Sequence, residues 1–284
     1  MLNSVVGHRR RQARDLAHHL TATAVALLFL LPLLWAASVS LRPTGVPLPR
    51  AIEWIPAPNT WENYRTVFQL IELHRFVLNS LFVAALAVPL TVVVASWAGF
   101  VISQISQRWR LRLTALSVLC LMMPLTAIWL PRFILFKEAG LINQRIALVV
   151  PALMGTSPLY VLLFTWMFLR VPREVYEAAR LDGAGPYRIW AQIALPLGRP
   201  MIVAVAVLAF VHYWNSFVEP LLLIRTTDKM TVSLGLRVLY SLDRTSWPLL
   251  MTGAVLVMAP VVIVFFLAQR AFMQDAHGRS VLGE

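Results

Sequence analysis

Charge is what this sequence has least of. Asp, Glu, Lys and Arg make up 13% of its 284 residues and hydrophobic residues 59%, where an ordinary soluble domain is about a quarter charged. That mixture cannot cover a soluble core with a solvated surface, so the chain is read as an integral membrane protein. Lysine occurs only as Lys137 and Lys229, and neither follows the glycine-rich spacing of a phosphate-binding loop. The chain therefore has no nucleotide site of that kind. The single cysteine, Cys120, excludes an intrachain disulfide framework and is too little for a metal cluster; it is read as a packed thiol inside a span. His18 and His19 are adjacent and so lie on different helical faces, and no other residues show metal-ligand or nucleophile spacing. No catalytic residue, metal or cofactor is expected in this chain, and no internal repeat is evident.

The charge that is present is mostly basic, with 25 Lys and Arg against 13 Asp and Glu and a net charge of +12. In a soluble protein this would point to nucleic acid. Here the basic residues are interleaved with apolar runs of membrane length, so lipid phosphates are the natural partners and nucleic acid is not expected. A hydrocarbon core of about 30 Å needs roughly 20 apolar helical residues. Six windows free of charged residues meet or approach that length: Leu16 to Leu41, Phe76 to Gln107, Leu113 to Pro131, Ile146 to Leu169, Pro200 to Val218 and Ser246 to Gln269. Six transmembrane helices are predicted. Arg9, Arg10, Arg11 and Arg14 before the first window, and small residues at its end, resemble a signal peptide. The run is longer than the roughly 7 to 15 residues of a signal's apolar region, so it is read as a retained span.

Six spans put both termini on one side. That side, with Gln107 to Arg112 and Arg170 to Arg199, holds the larger share of Lys and Arg, which makes it cytoplasmic by the positive-inside rule. The opposite loop from Arg42 to Arg75 is dense in proline and carries Trp54, Trp61 and Tyr64. A short surface helix from Thr60 to Phe68 is predicted there, with the aromatics at headgroup level.

The most polar stretch between two spans runs from Glu177 to Pro196, E-A-A-R-L-D-G-A-G-P-Y-R-I-W-A-Q-I-A-L-P. Pro172 suits the first position of a helix, Glu174 and Glu177 place negative charge near its positive end, and Gly183 is placed to stop it. Asp182-Gly183-Ala184-Gly185-Pro186 reads as a tight turn, with Pro186 opening a second helix toward Leu195. Ala178 and Ala179 leave the first helix bare on one side, where a partner can approach its backbone. The residues at fixed spacing are Glu177, Ala178, Ala179, Gly183, Ile193, Leu195 and Pro196. This pattern resembles the EAA loop of ABC-importer permease subunits. A linking pair of interfacial helices is the alternative.

The resemblance implies an all-α integral membrane protein of the type I ABC importer permease fold, with six transmembrane helices and a cytoplasmic coupling-helix loop. It implies that Glu177, Ala178, Ala179, Asp182, Gly183, Ile193, Leu195 and Pro196 form the contact with an ATP-hydrolysing subunit. The implied organisation is a basic cytoplasmic segment at 1–15, a transmembrane domain at 16–271 with its loop at 172–198, and a cytoplasmic tail at 272–284. In maltose-type relatives a comparable tail reaches the ATPase. The implied partners are a second permease, in a heterodimeric or homodimeric pair, two ATPase subunits that bind ATP and Mg, an extracellular solute-binding protein, and lipid. The location is the inner membrane. Asn59 to Tyr64, Asn79-Ser80-Leu81, and Tyr213-Trp214-Asn215-Ser216-Phe217 followed by Pro220-Leu221 resemble the sugar-importing branch, its shorter six-span partner above all. Thr231, Ser233, Leu234 and Gly235 fall where the family approaches its binding protein.

Within the spans, Ala95, Gly99 and Ser103 recur every four residues, a small-residue stripe that lets helices approach closely, within the chain or against a second permease. Pro124 predicts a kink in the third window, and Thr156-Ser157-Pro158 another in the fourth. In the fifth, His212, Asn215, Ser216 and Glu219 fall at spacings of three and four and are read as one helix face. An ionisable group deep in a bilayer costs about 2.5 to 3.5 kcal/mol even on the lenient scale. Such a face turns to the bundle interior or a water-filled path, so these four residues are the expected substrate path. Interhelical hydrogen bonding by Asn215, and an interfacial Glu219, are the structural alternatives. A permease for polyamines, phosphate or peptides, and more remotely a secondary transporter or channel, stay open.

Overall fold

The computed structural model describes residues 2–46, 53–242 and 246–280, and all of their regular structure is helical. The chain divides into two compact units, one of residues 1–71 with 238–256, the other of residues 72–237 with 257–284.

In the first unit, α1 (Leu2–Ser40) runs unbroken through the basic segment and the first apolar window. A turn at Leu41 and Arg42 leads toward α2 (Glu62–Leu70), the predicted surface helix displaced by two residues. The buried Asn63 amide donates to the carbonyls of Ser40 (2.8 Å) and Arg42 (2.6 Å), which lie past the reach of the helical ladder. The Thr252 hydroxyl also reaches the Ser40 carbonyl, at 3.1 Å, and Arg42 pairs with Glu53 at 3.0 Å. Asn63, within one of the stretches that resemble sugar permeases, thus closes a helix end.

The second unit is built on α3 (Leu73–Gln104). Its buried face includes Val83, Ala87, Thr91, Ala95, Gly99 and Ser103, a four-residue repeat that follows helical geometry. Against it lies α6 (Pro158–Phe168). The small-residue stripe serves this contact within the chain: a Cβ on Gly99 would stand 2.6 Å from Phe164 Cβ and 2.8 Å from the Thr165 nitrogen. On the same stripe, Ala95 lies beside Gly155. Thr91, Thr156 and Tyr213 form a hydroxyl chain at 2.5 and 2.7 Å, so the polar atoms of this interface satisfy one another.

Among the described residues, four helical stretches are long and apolar enough to span a bilayer without a sharp bend: Ala17–Ser40, Leu73–Gln104, Arg145–Phe168 and Trp247–Gln269. The other two predicted spans are bent. Helices α4 (Gln107–Met122) and α5 (Leu125–Glu138) meet at 91°, and the helical stretch Pro186–Leu197 meets α10 (Arg199–Asn215) at 84°. The count is six if each bent pair is one span. Pro124 explains the first bend, because its ring forces the preceding Met123 into extended geometry (ψ 129°) and its nitrogen cannot donate. A kink was expected here; a right angle was not.

The fourth window departs further from a regular helix. Residues Arg145–Leu148 and Val150–Met154 are tight 3₁₀ turns, and Gly155 and Thr156 both take positive φ before α6 restarts. Neither α4 nor α5 buries a side chain, so Cys120 is exposed on the surface of the chain and not packed within it, as composition had suggested. The last elements are α11 (Val218–Leu223), α12 (Val232–Leu242) and α13 (Trp247–Ser280), the last continuing as helix into the predicted tail. Where α13 lies in the second unit, the Val257 carbonyl accepts from the fully buried Trp214 indole at 3.0 Å.

Candidate functional site

The polar loop folds as a helix, a left-handed turn and a second helical stretch. Helix α7 (Arg173–Leu181) starts one residue later than expected, with Pro172 as the flanking residue in extended geometry (ψ 139°). Its C-terminus closes twice: the Gly183 N–H donates to the Arg180 carbonyl (3.0 Å) and the Ala184 N–H to that of Ala179 (2.9 Å). This pair of bonds requires a left-handed residue at Gly183, whose φ is 77°. Pro186 then opens α8 (Pro186–Ile189), followed by a wide π turn (Trp190–Ala194) and the single turn α9 (Leu195–Leu197). Pro196, which cannot donate a helical hydrogen bond, sits just past the wide turn.

The two alanines part company. Ala179 is only 8% exposed and packs with Phe100, Phe168 and Tyr176 in the chain's own core. It lets α7 lie close on its own protein, so the two alanines do not form one bare side as the motif suggested. Ala178 is exposed. It lies on an outward stripe with Val175, Leu181 and Asp182, in which Leu181 is 89% exposed. Tyr187, opening the second helical stretch, is exposed as well. Sequence reasoning missed Val175, Leu181 and Tyr187, although apolar residues at positions 175, 178 and 181 keep a helical period of their own.

Glu177 is exposed and, among the described residues, makes no ion pair or hydrogen bond. Together with Arg173 and Arg180 it borders a cavity of about 410 Å³ against the end of α3. The Arg180 guanidinium donates to Gln104 Oε1 at 2.6 Å, and the Tyr176 hydroxyl donates to the Phe168 carbonyl at 3.4 Å. Burial pushes the Tyr176 phenol up to about 12. Ile193 and Leu195 are partly buried against the same core, so the second half of the loop is an anchor, while Pro196 is exposed.

The fifth-window residues do not share one helix face. Helix α10 stops at Asn215, Ser216 turns to extended geometry (ψ 124°), and Glu219 belongs to α11. The helix breaks at Ser216 because Pro220, four residues on, has no N–H for the Ser216 carbonyl and its ring would clash with it. The break still gathers three of the four. His212, Ser216 and Glu219 line a cavity of about 170 Å³, and Asn215 is exposed outside it. The Ser216 hydroxyl donates to Glu219 Oε2 at 3.1 Å, and the other carboxylate oxygen pairs with Arg132. Opposite stand Trp129 and Arg132 of α5 and Thr156. Arg132 lies 87 residues from its partner, beyond the reach of local pattern.

The stretch Thr231 to Gly235 turns inward. Thr231 and Leu234 are buried, the Ser233 hydroxyl donates to the Trp214 carbonyl (2.9 Å), and a Cβ on Gly235 would meet the Phe76 ring at 2.3 Å. Asn79 and Ser80 organise its approach. The Asn79 amide donates to the Asp228 and Met230 carbonyls and its oxygen accepts from Arg145, while Ser80 Oγ accepts from the Val232 N–H. A hydrogen bond from Thr226 chiefly holds the exposed Asp228 carboxyl below its usual range. Among the described residues, no three His, Cys, Asp or Glu side chains are grouped to hold a metal ion.

Comparison with known proteins agrees with this layout. Residues 88–277 match the family model described as the binding-protein-dependent transport system inner membrane component. The arabinooligosaccharides transport system permease protein of Halalkalibacterium halodurans is 30% identical over 252 residues, covering 88% of this chain and 90% of that one. The lactose transport system permease protein of Rhizobium radiobacter is 28% identical over 269 residues, covering 95% and 97%. Among solved structures, a chain of a bacterial ABC transporter involved in import of the acidic polysaccharide alginate superposes with a TM-score of 0.70 at 20% identity, covering 91% of this chain and 96% of that one. That likeness is one of fold.

Proposed function

Because the chain belongs to the family of binding-protein-dependent transport system inner-membrane components, we propose that it is a permease subunit of an ATP-driven importer and that its cargo is a sugar. It is a multi-pass inner-membrane protein and a transport component of such a system. The observation that carries the coupling role is the α7 surface: Val175, Ala178 and Leu181 exposed on one side, Tyr176 and Ala179 locked into the core on the other. An 89% exposed leucine on a polar loop is suited to a groove on a partner.

In this reading the loop and both termini are cytoplasmic. Two separate ATPase subunits bind ATP and Mg, and Glu177, Ala178, Asp182 and the Gly183 turn meet them directly. Ala179, Ile193 and Leu195 hold the lever to the spans, and the exposed Pro196 stands with the contact surface. Closure of the ATPases moves α7, and the contacts of Tyr176 and Ala179 with Phe100 of α3 and Phe168 of α6 carry that motion into the membrane. A second permease completes the path, and an extracellular binding protein delivers the solute. The two relatives named for arabinooligosaccharides and lactose favour a sugar over a polyamine, phosphate or peptide.

The test is to purify the full chain from its own membranes in mild detergent and identify what accompanies it. An ATPase and a second permease in the complex, with ATP-dependent sugar uptake after reconstitution with the binding protein, are expected. Uptake that proceeds without ATP, or a chain that purifies without any ATPase, would refute the reading.

A further inference from the structure

We propose that the cavity between Trp129 and Glu219 is a subsite for one neutral sugar ring, and that its balanced ion pair excludes anionic sugars. The proposal rests on the reading of the chain as an importer permease and adds to it a cargo class and the side chains that select it.

Three irregular points of the backbone converge here. The cavity is bordered by α5 just past the 91° bend, by Thr156 with its φ of 61°, and by the end of α10 at Ser216. Irregular backbone at membrane depth is tolerated where it is buried in protein or lines a water-filled space. Three such points around one hollow mark it as part of an aqueous path and not as a packing defect.

The wall has the chemistry of a sugar and not of an anion. Trp129 offers an aromatic face for the C–H face of a ring. Arg132 is donor-only and Glu219 acceptor-only, so together they serve hydroxyls, which both donate and accept. Neither is saturated: Glu219 takes one bond from Arg132 and one from Ser216, and Arg132 has further N–H groups. Their side chains are 27% and 19% exposed, so both remain within reach of a solute. The Arg132 and Glu219 charges cancel one another across the wall. An anionic solute would have to face the Glu219 carboxylate or take Arg132 from it, leaving a charge unpaired at low dielectric. At about 170 Å³ the space falls below the roughly 300 to 1,000 Å³ of pockets that enclose larger ligands, which limits it to a single ring.

The charge balance is testable by moving it. In a Cys120→Ser background, Ile128→Cys places a reporter thiol on the cavity wall of the full chain in native membranes. Its modification rate by a small thiol reagent is measured with neutral disaccharides and trisaccharides, lactose and arabinotriose among them, and with uronic acid and phosphorylated counterparts. Neutral sugars are expected to slow modification and anionic ones to leave it unchanged. Glu219→Gln leaves Arg132 unpaired and should move the preference toward anionic sugars by about tenfold, the equivalent of about 1.4 kcal/mol. The double variant Arg132→Gln with Glu219→Gln is neutral again and should restore preference for neutral rings, which a merely structural ion pair would not do. Protection of the unaltered pair by anionic sugars, protection by none of the sugars, or a double variant that still prefers anions would overturn the proposal. ATP-driven uptake in the same membranes is scored separately. If it persists for an anionic cargo, the subsite proposal fails alone; if ATP dependence is absent, the importer reading fails.

Discussion

Arg180 of α7 donates a 2.6 Å hydrogen bond to Gln104 at the last residue of α3, joining side chains 76 positions apart. It ties α7 to α3 at the point where α3 ends. The bond is exposed, so it contributes about 1 kcal/mol or less to stability. Its value lies in direction.

Arg180→Ala or Gln104→Leu should therefore loosen transmission without unfolding the protein. ATP hydrolysis by the complex is expected to persist while solute uptake per ATP falls by about two- to fivefold, the equivalent of about 0.5 to 1 kcal/mol. The ratio of uptake to hydrolysis in proteoliposomes measures it, and an unchanged ratio would count against the α7 to α3 route.

Gly183 closes α7 with φ at 77°, where a side chain costs about 1 to 2 kcal/mol. No atom lies within 4 Å of a Cβ built there, so the penalty is conformational and not steric. Gly183→Val should abolish uptake and weaken ATPase co-purification while membrane insertion stays normal. Gly183→Asn, which tolerates the left-handed region, should retain much of both, and equal loss in the two variants would point to contact instead of backbone.

Gly99 is the converse case, since its constraint is space. Gly99→Leu would drive α3 from α6 against backbone atoms at 2.8 and 2.9 Å, and overpacking of that kind costs about 1 to 3 kcal/mol. A lowered midpoint of thermal unfolding in detergent is expected. Leu119→Ala on the unburied α4 should leave that midpoint almost unchanged, and similar shifts in the two would place the close contact outside the chain.

Tyr176 gives a pH signature. Burial raises its phenol to about 12 from an ordinary 10.0, so the folded state favours the neutral form. Its contribution to stability is complete below about pH 10 and is lost as pH rises toward about 12. Ultraviolet titration should show tyrosine absorbance still rising as pH approaches about 12, and Tyr176→Phe should lower the amplitude of that late step. An unchanged late amplitude in Tyr176→Phe would assign it to other phenols.

The parts of this protein that were legible in its sequence depend on neighbours along the chain. Gly183 after a run of helix formers announces its own turn, and Ala95, Gly99 and Ser103 announce a face on which two helices can touch. What was hidden depends on distance in sequence or on angle. Pro124 predicts that a helix stops, but the 91° at which the next begins comes from packing. Spacing placed Glu219 on the face of His212, yet the backbone breaks at Ser216 and the residue that meets Glu219 is Arg132, 87 positions earlier. Ala178 and Ala179 look alike in a motif, and only the fold around Phe100 and Tyr176 separates an outward alanine from an inward one.

Helices α4 and α5 cover none of their own side chains, yet Trp129 and Arg132 of α5 form one wall of the small cavity. That wall is therefore shored from outside. In the proposed importer, acyl tails or a companion permease behind it set how far it recedes, so the gauge of the proposed subsite is a joint property of the chain and its surroundings. The same permease housed beside a different companion should sieve differently without one codon of its own gene altered.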